Sequence, residues 1–85
     1  MAQVKMYTTP WCGFCHAAKR LFNGKGVAYE DIDVDGDHET RAWLREVTGQ
    51  HTVPQIFING ESIGGFTDAQ ALDRSGELDR LLNQP

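Results

Sequence analysis

The chain has 85 residues, 40% hydrophobic and 24% charged, with 9 Gly and 3 Pro, a composition that fits one small globular domain and excludes a disordered or collagen-like chain. Its formal net charge is −4, from 12 acidic and 8 basic residues, so the molecule as a whole repels phosphate backbones and anionic lipid. Nucleic acid and membranes are therefore not expected partners, although Lys19 with Arg20, and Arg41 with Arg45, leave local positive charge for a small anion.

The start of the chain is not signal-like, and no apolar run approaches the roughly 20 residues of a membrane span, so a soluble, cytoplasmic protein is expected. Val4 to Tyr7 alternates and stops at Thr8, Thr9 and Pro10, which predicts a first strand entering a loop. From Cys12 onward Ala17, Ala18, Leu21 and Phe22 recur at helical spacing, with Asn23, Gly24 and Gly26 as the stop. Val27 to Val34 alternates again around Val27, Tyr29, Ile32 and Val34 and predicts a second strand, ended by Asp35, Gly36 and Asp37. Asp37 is placed to cap a second helix with Ala42, Trp43, Leu44 and Val47 on its apolar side and Gly49 at its close.

Ile56 to Ile58, then Asn59-Gly60, then Ser62 and Ile63 read as a hairpin, because Asn-Gly supplies the positive φ angles of a tight turn. Thr67 or Asp68 starts a C-terminal helical stretch carrying Ala71, Leu72, Leu78, Leu81 and Leu82, interrupted near Ser75-Gly76. The order is β-α-β-α-β-β-α. Without a repeat or linker, it predicts one domain over residues 1–85, of α/β class, with a mixed sheet flanked by helices. A right-handed crossover between the first two strands puts the loop Thr8 to Phe14 at the carboxyl end of a strand, a common place for ligand sites.

That loop ends in Cys12-Gly13-Phe14-Cys15, and two cysteines are too few for a disulfide scaffold. In a reducing compartment so close a pair reads as redox-active or metal-binding. At the amino end of a helix the first cysteine meets unpaired backbone N–H groups and the positive end of the helix dipole, both of which favour a thiolate. The second, one turn on, is placed to close a disulfide or resolve a mixed one. A zinc site would need about four ligands, and His16, His38 and His51 stand at no zinc spacing. Cys12 to His16 also satisfies the C-x-x-C-H haem signature, but without an export signal and with both methionines in or before the first strand. An inert buried pair fits poorly with Pro10 and Trp11 just before it.

From YTTPWCGFC through HTVPQIFING to IGGFTD the chain resembles the glutaredoxin family over nearly its whole length, in particular the small bacterial dithiol kind. The resemblance implies a thioredoxin-like fold, with a four-stranded mixed sheet and helices on both faces. It implies Cys12 as nucleophile and Cys15 as the resolving thiol. It implies that Thr52, Val53 and Pro54, with a cis Val53–Pro54 bond, present main-chain groups of Val53 to an extended peptide thiol. Gly65, Phe66, Thr67 and Asp68 are similar to the family's glutathione-binding loop. There Gly64 and Gly65 allow close backbone approach, N–H groups meet the γ-glutamyl carboxylate, and Asp68 meets its ammonium. Arg45 falls where the family places a polar contact to the glycyl carboxylate, which a guanidinium suits.

The activity implied is glutathione-dependent reduction of protein–glutathione mixed disulfides and of protein disulfides, with glutathione as reductant and a monomer as the default state. Two departures stand out. Gly13 and Phe14 replace the proline and tyrosine of the common C-P-Y-C form, and a lysine usual just before the first cysteine is absent, leaving Lys19 or His16 to assist the helix terminus. Gly13 leaves open a rival reading, a glutathione-ligated [2Fe–2S] cluster held by Cys12 in a homodimer. Trp11 is similar to thioredoxins, which leaves open electron supply by thioredoxin reductase or by another small thiol such as mycothiol.

Overall fold

The computed structural model describes residues 2–84. In chain order its elements are β1 (Val4–Thr8), α1 (Gly13–Gly24), β2 (Glu30–Asp33), α2 (His38–Thr48), β3 (Gln55–Ile58), β4 (Glu61–Gly64), α3 (Phe66–Ser75) and α4 (Glu77–Leu82). The strands form one sheet in the order β2-β1-β3-β4. Parallel strands need a crossover and antiparallel ones only a turn. Accordingly α1 connects β1 to its parallel neighbour β2, and the Asn59-Gly60 turn connects the antiparallel β3 and β4. Asn59 and Gly60 both have positive φ, 52° and 82°, as the primed hairpin turn requires. This is the thioredoxin-like arrangement.

The central strand β1 is buried at Val4, Met6, Tyr7 and Thr8, because it has a neighbour on each edge and helices over both faces. One face carries the larger core, in which Met6 and Ile56 meet Ala18 and Phe22 of α1, Ala69 of α3, and Leu78 and Leu82 of α4. Phe22 is fully buried there, a contribution of about 1.5–3 kcal/mol by area. The other face carries a smaller cluster of Tyr7, Val34 and Leu44, the last from α2. Asp37 caps α2 as expected, accepting from the Thr40 amide at 3.1 Å. The Thr40 side chain and amide hold the Asp37 carboxyl below its usual range.

Three expectations about the elements are corrected. The second strand is shorter than Val27 to Val34: the Val27 amide donates to the Phe22 carbonyl at 3.2 Å and so closes α1 instead of joining the sheet. Beyond the other end of β2, the Val34 amide still bonds Thr8 at 2.9 Å. The apolar side of α2 is narrower than the sequence suggests, since Leu44 is buried but Trp43 and Val47 are 44% and 50% exposed. Trp43 lies on the sheet with one face, stacked on Phe57 and tilted against Tyr7, and leaves the rest to solvent. The last helix begins at Phe66, one residue before Thr67, while its break at Gly76, whose φ is 83°, falls where expected.

Candidate active site

Cys12 is the N-cap of α1 in extended conformation, so the first amides of the helix point back toward its sulfur. The Cys15 amide donates to Cys12 Sγ at 3.0 Å, and the Cys12 thiol donates to the Val53 carbonyl at 3.4 Å. No acidic side chain occupies the first turn of α1, so nothing there opposes negative charge on this sulfur. Trp11 and Phe14 on either side are 89% and 63% exposed. Cys12 itself is half-buried and unbridged. The geometry suits a sulfur that accepts and releases negative charge at the surface.

Cys15 lies one turn on, fully buried. Burial first, and then its hydrogen bond with Cys12, push its thiol up to about 12, against the opposing effects of the Thr9 backbone and the Lys19 charge. The two thiols thus differ in access as well as in order. Lys19 does not stand free: its Nζ lies 2.7 Å from Asp31 Oδ2. His16 has its Nε2 3.0 Å from the Pro10 carbonyl, where it ties down the loop before Cys12.

Beside Cys12 opens a cavity of about 260 Å3. One wall is Thr52, Val53 and Pro54, with the Val53–Pro54 bond cis as expected. The opposite wall is Gly65, Phe66, Thr67 and Asp68 at the start of α3. Gly65 is the N-cap and has no side chain to offer the helix, and the cap is closed instead by Asp68 Oδ2, which accepts from the Gly65 amide at 3.0 Å. The glycine pair relieves close contacts. Gly64 has φ 96°, and a Cβ on it would collide with the Asp68 carboxylate, while a Cβ on Gly65 would come to 3.3 Å from the Pro54 carbonyl. The two loops approach that closely because Gly65 carries no side chain, while bare Gly64 leaves room for the Asp68 cap within its own loop.

Of the site residues expected from sequence, Cys12, Cys15 and both loops come together. Arg45 does not join them: it is exposed on the last turn of α2 and is not among the residues lining the cavity. The arginine one turn earlier takes the place beside the loop, with half-buried Arg41 donating from Nη2 to the His51 carbonyl at 3.4 Å.

Phe14, Gln50 and Gln55 were not anticipated. Phe14 and Phe66 stack across the cavity with ring centroids 6.3 Å apart. Gln50 lines it as well. Behind it fully buried Gln55 donates from Nε2 to the Thr52 carbonyl at 2.9 Å and to Gln50 Oε1 at 3.1 Å, tying the wall to β3. Among the described residues Gln55 Oε1 finds no hydrogen-bond partner. A glutamine in the otherwise apolar run before Ile58 was the one signal for this tie.

Among the described residues no group of three or more His, Cys, Asp or Glu stands together to hold a metal ion, and no helix is long and apolar enough to cross a membrane. Of the two cysteines, Cys12 is the accessible thiol a [2Fe–2S] cluster would find and Cys15 is buried, so these thiols by themselves do not supply a cluster's ligands.

A thioredoxin-like sheet with one reachable thiol at the start of α1 and a second buried one turn behind it defines a thiol–disulfide redox protein. The glutaredoxin family model matches residues 4–63. A glutaredoxin of Pseudomonas aeruginosa is 47% identical over 83 residues, covering 98% of this chain and 99% of its own. Glutaredoxin 3 of Escherichia coli K12 is 45% identical over 82 residues, covering 96% and 99%. Among solved structures, a buckwheat glutaredoxin–glutathione complex superposes with a TM-score of 0.90 at 33% identity, covering 95% of this chain and 76% of that one. The solution structure of a Brucella melitensis glutaredoxin gives 0.87 at 43% identity, covering 96% and 89%. The chain belongs to the glutaredoxin family.

Proposed function

We propose that this protein is a cytoplasmic, monomeric, single-domain glutathione-dependent oxidoreductase that reduces protein–glutathione mixed disulfides and protein disulfides. The observation that carries the reading is the shared cavity: Cys12 Sγ lies 3.4 Å from the Val53 carbonyl on one wall, and the start of α3 forms the other. Glutathione has a thiol in its middle and a zwitterionic γ-glutamyl head. An extended tripeptide along Val53 brings its sulfur to Cys12 and its α-carboxylate to the unpaired amides of Phe66 and Thr67, where a helix start favours an anion. Asp68 Oδ1 is then free for the ammonium, Oδ2 being held by Gly65.

In this reading the Cys12 thiolate attacks the glutathionyl sulfur of the mixed disulfide. The new Cys12–glutathione disulfide forms as the old S–S bond breaks, and the substrate protein leaves as a thiolate that takes a proton from water. A second glutathione then attacks the bound glutathionyl sulfur, regenerating Cys12 and leaving oxidised glutathione. On the two-thiol route Cys15 attacks Cys12 Sγ instead, expels glutathione as thiolate and closes the Cys12–Cys15 disulfide, which two glutathiones reopen. The amides at the start of α1 stabilise charge on Cys12 both when it attacks and when it leaves.

The test is reduction of a glutathionylated peptide with NADPH consumption as readout, with electrons supplied either by glutathione and its reductase or by thioredoxin reductase. Turnover confined to the glutathione system is expected. Turnover confined to thioredoxin reductase, or to neither system, overturns the proposed donor.

A further inference from the structure

Cys15 is buried in the state in which it must become a nucleophile, and the structure surrounds it with more than the helix it stands on. Lys19 is four residues on, the spacing that places side chains one above the other on one flank of a helix. Its ammonium is steered by Asp31 on β2, 2.7 Å away. The other oxygen of Asp31 accepts from the Thr8 hydroxyl at 2.6 Å. Thr8 is itself buried at the end of β1, directly before Thr9, whose backbone bonds Cys15.

Asp31 on β2 and Thr8 on β1 therefore fix the Lys19 ammonium on the flank of α1 that carries Cys15 one turn earlier. The charged and titratable groups around the cluster are Cys12, which raises Cys15, and Lys19, which lowers it. Tyr29 acts on Lys19, and His16 acts on Asp31.

We propose that Lys19, steered by Asp31 and Thr8, is the positioning residue for Cys15, compensating its charge as it attacks Cys12 and thereby setting how often a mixed disulfide on Cys12 is resolved internally rather than by an outside thiol. Lys19 thereby serves the second thiol, not the first. The step needs no added reductant or oxidant: Cys15 loses its proton to water, its sulfur bonds Cys12 Sγ, and the group on Cys12 departs as a thiolate. The inference rests on the two-thiol route of the proposed function but not on glutathione.

The experiment uses a symmetrical nitrobenzoate aryl disulfide, so that failure of the glutathione reading leaves it intact. The reduced protein releases one coloured aryl thiolate as Cys12 attacks and a second as Cys15 displaces the aryl group from Cys12. Loss of one pKa unit of stabilisation leaves about tenfold less thiolate, partly offset by about threefold higher reactivity of the more basic sulfur. The ratio of second to first release rates is therefore expected to fall about threefold in Lys19→Gln and to return in Lys19→Arg, which keeps the charge. Lys19→Met gives the same fall if Lys19→Gln does not fold, as judged by thermal melting. An unchanged ratio on removing the charge, or an Arg variant as slow as the Gln one, overturns the proposal, because a purely structural ion pair would not separate the two phases by charge.

Discussion

The start of α1 and the turn that follows it hold the same side chain in two different solvents. Cys12 stands at the surface, with the Cys15 amide at 3.0 Å and the Val53 carbonyl at 3.4 Å. Cys15, three residues on, is buried with its thiol pushed up to about 12. The difference arises from the helix itself. Its first residues leave amides unpaired and face the loops, and one turn later the same flank has rotated into the sheet. A C-x-x-C pair at a helix start is thus an ordered pair, one thiol offered outward and one withheld.

The largest expected effect breaks the comparison at its exposed end: Cys12→Ser abolishes turnover of a glutathionylated peptide in the coupled NADPH assay, while the fold stays intact by circular dichroism. Retained turnover would assign attack to another sulfur and would falsify the ordered pair. Next in size, Cys15→Ser removes the two-thiol route, so reduction of a vicinal protein disulfide is lost while deglutathionylation by added glutathione continues.

The cavity wall sharpens the same contrast, since Cys12 bonds to it through the Val53 carbonyl. Asp68→Ala removes the carboxylate that holds the Gly65 amide and that is proposed to meet the ammonium. A charge-assisted contact of about 1.5–3 kcal/mol corresponds to a rise in KM for glutathione of roughly tenfold or more, with the rate of aryl disulfide attack by Cys12 unaffected. If KM does not move, the α3 wall is not the glutathione site.

The smallest effect is on the ion pair beside Cys15. Burial raises the Asp31 carboxyl, but hydrogen bonds from Lys19 and Thr8 outweigh it and lower it below 3.8. The hydrogen bond to Asp31 raises Lys19 above 10.5. A depressed acid stabilises the fold above its unfolded value and loses that contribution as pH falls through the folded one. A raised base contributes below its unfolded value and loses that contribution as pH climbs through the folded one. Stability from this pair is therefore full between about pH 4 and 10. Because the Asp31 side chain is 38% exposed, the loss at either end is at most about 1 kcal/mol. Urea midpoints of wild type and Asp31→Asn across acid pH measure it, and a difference that persists undiminished at pH 2 would count against the linkage.

The elements were legible where local chemistry decides them. Asp37 as cap, Asn59-Gly60 as turn and Gly76 as break are determined by hydrogen-bonding and φ preferences that act over a few residues. The motif Cys12 to Cys15 announced its chemistry because the spacing matches a helical turn. The limits of β2 and the exposure of Trp43 were not legible, since both depend on which neighbour a segment meets. Val27 alternates like a strand, but its amide reaches the end of α1 first. Phe14 and Gln50 line the cavity, and Gln55 ties its wall, only because α1, β3 and the loop before β3 converge there.

What the sequence by itself determined is the order of the elements and which residue types stand at each helix start and turn, because caps, turns and periodicity are short-range. Only the tertiary structure decided that Val53 and Asp68 share one cavity with Cys12 bonded to its wall, that Arg45 stands outside it, and that Lys19 is held by Asp31. Those contacts join residues far apart in the chain. Sheet order and helix packing bring them together, and no local preference encodes them.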